Sequence, residues 1–404
     1  MTSTPTTQAP LLPARHDTRC PFNPPPAYTE AAATGPVSRA ELPDGTSCWL
    51  VTGYQEVRTV LSDSRFSADV RRPGFPFLTT GQREILAVTP SFVRLDDPEH
   101  ARLRRMVTGD FLIKRVEARR PAIQRIVDEA LDRMTAAGAP ADLVTHFALP
   151  VPSLVICLLL GVPYADREAF QERSRLLLSI EAGREETARA RIELLDYLGE
   201  LAVRKREHPG DDILSRLAAR DDLTPRQIAT TGVLLLVAGH ETTANMIGLS
   251  TAMLLRHPEQ AARLADPAAL PGAVEELLRL LTIAHAGVPR VALEDVELGD
   301  TLVRAGEGVI AMLSTANRDE ELFGGGDRLP TDELDLDRDA RRHVAFGFGV
   351  HQCLGQPLAR AELQIALATL FRRLPGLRLA VPESELEFRT EAVIYGPKSL
   401  PVAW

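Results

Sequence analysis

The chain is short of cysteine: Cys20, Cys48, Cys157 and Cys353 stand singly among 404 residues, with no C-x-x-C pair and no zinc-type spacing. A disulfide framework is excluded, and a reducing, cytoplasmic setting is expected. Positive charge is also in deficit. Forty-six Lys and Arg against 55 Asp and Glu leave a net charge of −9, the wrong sign for gripping phosphate backbones, so nucleic acid is not an expected partner. Long apolar runs are missing too. The stretches 151–162 and 232–239 fall short of the ~20 residues that cross a bilayer, and no membrane span is expected. Pro5, Pro10, Pro13, Pro21, Pro24, Pro25 and Pro26 crowd the first thirty residues without a basic segment followed by an apolar one, so these do not read as a signal peptide. No unit of 20–50 residues repeats, which excludes a solenoid.

What is present is an ordinary globular balance, 45% hydrophobic and 25% charged. Residues 1–30 are expected to form a Pro-rich arm and 31–404 a single domain, mainly α with small β-sheets. Residues 46–52 read as a strand and 54–61 as a short helix. The Pro-, Gly- and Phe-rich segment 70–90 is a long irregular loop of the functional kind. Apolar residues then recur at three- and four-residue spacing over 97–111, 121–136, 153–160, 166–179, 187–207 and 211–220, the mark of a helical bundle. Strand-like pieces return at 288–296, 301–303, 308–312, 386–388 and 392–394.

The strongest helix start is Thr224-Pro225-Arg226-Gln227, with Thr as N-cap, Pro at the first position and Gln at the third. The helix runs to Arg256 and Pro258, ~50 Å at 1.5 Å per residue. Its apolar centre is interrupted by Gly239-His240-Glu241-Thr242-Thr243, which leaves two readings open. Thr242 bonds back to a carbonyl one turn earlier while Glu241 meets a cation; or Gly239 admits a close approach while Glu241 and Thr242 handle protons or oxygen. Elsewhere, His100 and Arg104 share one helix face after Asp97, suited to carboxylates or phosphates unless simply solvated. Glu276 and Arg279 form an i, i+3 pair, and His343 and His351 read as scaffold histidines.

The run Phe346-Gly347-Phe348-Gly349-Val350-His351-Gln352-Cys353-Leu354-Gly355 cages one cysteine among glycines. Taken alone, Cys353 is a reactive thiol, a core residue or a metal ligand. The run fits F-x-x-G-x-x-x-C-x-G through Phe346, Gly349, Cys353 and Gly355, and Pro357-Leu-Ala-Arg360 begins a helix after it. This pattern resembles the haem-binding loop of the cytochrome P450 family. The resemblance covers nearly the whole chain, including Ala316-Asn317-Arg318-Asp319 and the stretch Cys20–Tyr28, which is similar to soluble actinomycete members.

The resemblance implies the cytochrome P450 fold, a helical bundle around haem b with a β-rich subdomain on the N-terminal side. Cys353 would be the thiolate ligand of iron, with Phe346 against the porphyrin. His100, Arg104, Arg290 and His351 would meet the two propionates. Ala238 and Gly239 would lie against the haem, with Glu241 and Thr242 delivering protons during dioxygen cleavage. Glu276 and Arg279 would form the family's structural pair, completed by Arg338. Implied too is a monooxygenase acting on a bulky hydrophobic small molecule by hydroxylation or epoxidation. Its pocket walls are expected at Phe75, Phe77, Leu78, Val88, Leu177, Leu178, Ile180, Leu235, Ile283, Val288, Val393 and Ile394. With no flavin or iron–sulfur segment in the chain, electrons would come from a separate ferredoxin, docked on Arg102, Arg105, Lys114, Arg115, Arg119 and Arg120 unless that face is merely solvated. A monomer is expected. The alternatives are a peroxide-using peroxygenase and a non-catalytic haem sensor.

Overall fold

A computed structural model describes residues 9–17, 19–79, 90–325, 329–390 and 392–404. The longer helices are α1 (Pro26–Thr34), α2 (Tyr54–Ser62), α3 (Glu99–Thr108), α4 (Ile113–Ala137), α5 (Pro150–Leu160), α6 (Arg167–Leu178), α7 (Arg184–Glu207), α8 (Pro225–Arg256), α9 (Leu270–Leu281) and α10 (Gln356–Arg373). The expected start of α8 is realised in full. The Gln227 amide donates to the Thr224 hydroxyl oxygen at 3.2 Å, and the Thr224 amide donates to the Gln227 side chain at 3.0 Å. Helix α8 packs on α5, α7 and α10, so it runs through the centre of the bundle. Among the described residues no helix is long and apolar enough to cross a membrane.

Helix α4 departs from expectation by beginning at Ile113 and enclosing Pro121. Proline lacks the N–H that would reach the carbonyl four residues earlier. Here Pro121 and Glu117 both lie on the exposed side, where water can satisfy that carbonyl, and the apolar face continues past it through Val116 and Ile123.

The strands are β1 (Val37–Glu41), β2 (Ser47–Val51), β3 (Phe66–Ser67), β4 (Ala141–Asp142), β5 (Val288–Ala292), β6 (Val296–Leu298), β7 (Thr301–Val303), β8 (Gly308–Ala311), β9 (Arg378–Leu379) and β10 (Pro401–Ala403). The main sheet has the order β1-β2-β8-β5-β3; β4-β10-β9 form a second sheet and β6-β7 a hairpin. Among the strand pairs of the described residues only β2 and β8 run parallel, and β8 is buried along its length, the position for its β-branched Val309 and Ile310. The pieces 386–388 and 392–394, expected as strands, make only isolated bridges, Phe388 to Pro397 and Ser179 to Ala392. Pro397 has no N–H with which to extend a ladder.

Within the Pro-rich N-terminal stretch, Leu12 and Tyr28 are buried, and α1 opens with Pro26 at its first position. His16 stacks on Tyr395 at 3.7 Å between ring centroids, and its Nε2 lies 2.7 Å from His285 Nδ1. These contacts fasten the arm to the C-terminal segment.

Candidate functional site

The cysteine loop is shaped by backbone needs. Gly349 has φ +72°, and a Cβ there would stand 2.4 Å from the Leu61 carbonyl oxygen. Only glycine lets the loop pass the end of α2 so closely. The Cys353 amide donates to the Phe346 carbonyl at 2.8 Å, turning the loop back on itself. Gly355 then caps α10, and the amides of Gly355 and Gln356 lean on the Cys353 sulfur. Burial raises the thiol above its ordinary value; those amides and the guanidinium groups of Arg104 and Arg360 pull the other way. The side chain has open surface yet is surrounded by protein, so it lines a recess rather than the outer face.

Arg104 ties α3 to this loop, donating from Nη2 to the Gln352 carbonyl at 2.6 Å. One turn earlier, His100 is 2% exposed; its Nδ1 lies 2.9 Å from Asp97 Oδ1 and its Nε2 has no partner. The His351 ring lies against it, tilted by 37° with centroids 4.0 Å apart, and His351 Nδ1 is likewise buried without a partner. Arg290, on β5, is 3% exposed and donates to the Pro289 carbonyl at 2.8 Å. Burial, helped by the neighbouring cations, pushes His351 down to about 3 and Arg290 to about 10. The carboxylate near Arg290, Asp96, is spent on the Ser67 hydroxyl and the Ala68 amide. The orphaned ring nitrogens His100 Nε2 and His351 Nδ1, beside two arginines bonded only to backbone carbonyls, fit the two carboxylates of a haem. The thiol fits its iron, because a metal favours the thiolate that burial disfavours.

On α8 the hydrogen bonds are those of the plainer reading. Thr242 donates from its hydroxyl to the Ala238 carbonyl at 2.7 Å, and Glu241 Oε2 meets Arg389 Nη1 at 3.1 Å. Asn245 donates to the Glu241 carbonyl at 2.7 Å. The side chain of Ile156 on α5 is what approaches Gly239; a Cβ there would meet it at 2.7 Å. Ala238 is exposed and Thr242 half-buried on a helix whose other central residues are mostly buried, so this face borders open space. The Glu241 carboxyl, held below its ordinary value by His240 and Arg389 against the effect of burial, lines a cavity of about 350 Å³ with Arg175, Ser179, Asn245 and Arg389.

Glu276 gathers both Arg279 and Arg338. Arg279 forms a two-point bond to Glu276 at 2.6 and 2.8 Å, and Arg338 Nε reaches Glu276 Oε1 at 3.1 Å. A neighbouring cluster escaped the sequence reading. Glu275 on α9 takes two hydrogen bonds from Arg360 at 2.7 and 2.8 Å and meets His343 Nε2 at 3.2 Å. Arg360 also lies 4.7 Å over the Phe346 ring, so this triad backs the cysteine loop. His343 thus has a carboxylate partner, and nothing in the sequence marks Glu275 as that partner.

The expected pocket walls divide. Leu178 and Ile394 share the cavity beside Glu241, and the Val393 amide donates to the Leu178 carbonyl at 3.0 Å. Leu177 and Ile283 pack at the edge of the main helical core, which includes the buried Leu235. Ile180 is half-buried, and Val288 borders the sheet core. Phe75 and Phe77 form a separate buried group with Val70 and Val291, while Leu78 packs in another with Val393 at its margin. Val88 lies outside the described residues.

Comparison with known proteins agrees with this geometry. Residues 269–394 match the model of the family described as Cytochrome P450. The chain is 64% identical to cytochrome P450-SU2 of Streptomyces griseolus, covering 97% of this chain and 96% of the relative. It is 50% identical to pentalenic acid synthase of Streptomyces avermitilis, covering 96% of each. The crystal structure of mycinamicin VIII C21 methyl hydroxylase from Micromonospora griseorubida, bound to mycinamicin VIII, superposes with a TM-score of 0.91 at 42% identity. It spans 98% of this chain and 100% of that one.

Proposed function

This chain belongs to the cytochrome P450 family and is an oxidoreductase, and from that premise we propose that it holds haem b through Cys353 and oxidises a bulky hydrophobic natural product. The bound haem would supply dioxygen activation, so that one oxygen atom enters a C–H bond or a double bond of the substrate and the other leaves as water. The observation that carries this reading is the cluster His100, Arg104, Arg290 and His351, in which His100 Nε2 and His351 Nδ1 are buried without a partner and neither arginine bonds an acid, tied by Arg104 to the loop of Cys353.

The residues then divide the work. The amides of Gly355 and Gln356 temper the charge on the Cys353 sulfur. The Thr242 hydroxyl, bonded to the Ala238 carbonyl, would donate its proton on the half-open face of α8. Glu241 would replace that proton: its carboxylate, which lines the adjoining cavity, would take one up from solvent there and, once released from Arg389 Nη1, pass it to the Thr242 oxygen. Electrons come from a ferredoxin-type donor on the face carrying Arg105, Lys114 and Arg115, which are exposed. The protein is proposed to act as a cytoplasmic monomer.

The apolar side chains Leu178 and Ile394 support a hydrophobic substrate, and the names of relatives acting on mycinamicin and forming pentalenic acid favour a macrolide or terpenoid. The test is NADPH consumption with a surrogate ferredoxin and reductase, run against compounds that shift the Soret band from low to high spin. Substrate-dependent consumption with oxygenated product supports the reading. Product from peroxide alone would make the protein a peroxygenase, and spectral binding without turnover would make it a sensor.

A further inference from the structure

Among the described residues no acid answers the charge of Arg94. It ends the short turn Phe92–Arg94 ahead of α3. Its guanidinium lies over the Phe75 ring, 5.9 Å from the centroid, and within electrostatic reach of Arg290. Burial alone acts on it, pushing it down to about 10, with no carboxylate or hydrogen bond pulling back. At neutral pH it stays charged. Two guanidinium groups that repel each other, Arg290 buried and Arg94 half-buried, are unfavourable unless an anion lies between them.

We propose that Arg94 and Arg290 together form a carboxylate-binding site at the Phe75 wall. Phe75 orients the flat Arg94 fork from below, as aromatic faces do for guanidinium. Arg290 has one N–H engaged at Pro289 and the rest of its fork available. The chemistry required is a carboxylate, which a guanidinium fork meets with paired hydrogen bonds. Two sources could supply it, a haem propionate or an acid group on the substrate, so Arg94 is either a fifth holder of the cofactor or a determinant of substrate choice. The inference rests on the haem-thiolate reading above.

The test uses the haem-loaded protein and the variants Arg94→Gln and Arg94→Lys. One arm follows haem transfer to apomyoglobin. The other compares Soret-monitored binding of lauric acid and methyl laurate. If the site takes a propionate, Arg94→Gln speeds haem transfer about tenfold, the effect of losing one charge-assisted hydrogen bond. If it takes a substrate acid, haem transfer holds and the preference for acid over ester falls about tenfold. Arg94→Lys keeps the charge without the fork and gives a smaller loss; it carries the test alone should Arg94→Gln not fold. Variants matching the parent in haem transfer, with acid-over-ester preference unchanged or absent throughout, would overturn the inference. Failure of the underlying reading would look different, since the parent itself would then lack the red-shifted Soret band of the reduced carbon monoxide complex.

Discussion

Among the described residues two groups of arginines stand in contrast, one closed on an acid and one not. Around Glu276, Arg279 donates to that carboxylate and to the carbonyls of Asn317 and Thr331. Arg338 donates to the same carboxylate and to the carbonyls of Phe323, Leu329 and Pro330. All three side chains are fully buried. Around His351, by contrast, Arg104 and Arg290 donate to backbone carbonyls alone, and His100 Nε2 and His351 Nδ1 meet nothing. A finished network is scaffold. An unfinished one, with His100 and Arg290 buried and Arg104 and His351 half-buried, is built to receive an anion.

The difference can be broken at either end. Glu276→Ala should be the most damaging change, because it strands two buried arginines at a cost of about 3–5 kcal/mol. Denaturant unfolding should show it as a large fall in midpoint or as failure to fold, and an unchanged midpoint would refute the scaffold role.

Next in size is an acid effect at Glu275, which Arg360 and His343 hold down to about 2 against the effect of burial. A carboxyl lowered on folding binds its proton more readily when unfolded. Its contribution is therefore complete above about pH 4.5 and lost as pH falls from there toward 2, up to on the order of 2–3 kcal/mol. Glu275→Gln should flatten this acid limb of the stability curve. A limb as steep as in the parent would show that other carboxyls govern it.

On the unfinished side, Arg290→Leu should separate holding haem from holding the fold. Haem transfer to apomyoglobin should quicken about tenfold or more, while the chain stripped of haem keeps its unfolding midpoint, since the removed charge had no acid partner. A falling midpoint would make Arg290 scaffold instead. Smallest of all should be Glu117→Ala. Its bond with Arg120, at 2.7 Å on an exposed helix face, should be worth less than about 1 kcal/mol, and urea unfolding should scarcely register its loss.

Much of this was legible because it is local. The capping box of α8, the shared face of His100 and Arg104, and the caged Cys353 are each written within a few residues. What was hidden depends on distant chain. Arg389 reaches Glu241 across 148 residues, and Glu275 meets Arg360 across 85. Arg94 stands in no motif, and only folding sets it over Phe75 and near Arg290. The sequence reading begins this helix at 121, whereas α4 begins at Ile113, because Pro121 lies on a side of the helix that faces water. The grouping of Phe75 and Phe77 apart from Leu178 and Ile394 likewise depends on how the sheet and the C-terminal segment pack.

The central claim is that the unfinished cluster and Cys353 together hold a haem through a thiolate. The visible spectrum of the reduced carbon monoxide complex, recorded for the purified protein beside Cys353→Ser, tests it most directly. The account predicts a red-shifted Soret band in the parent that is absent from the variant. A parent without that band, or a variant that keeps it, would contradict the account.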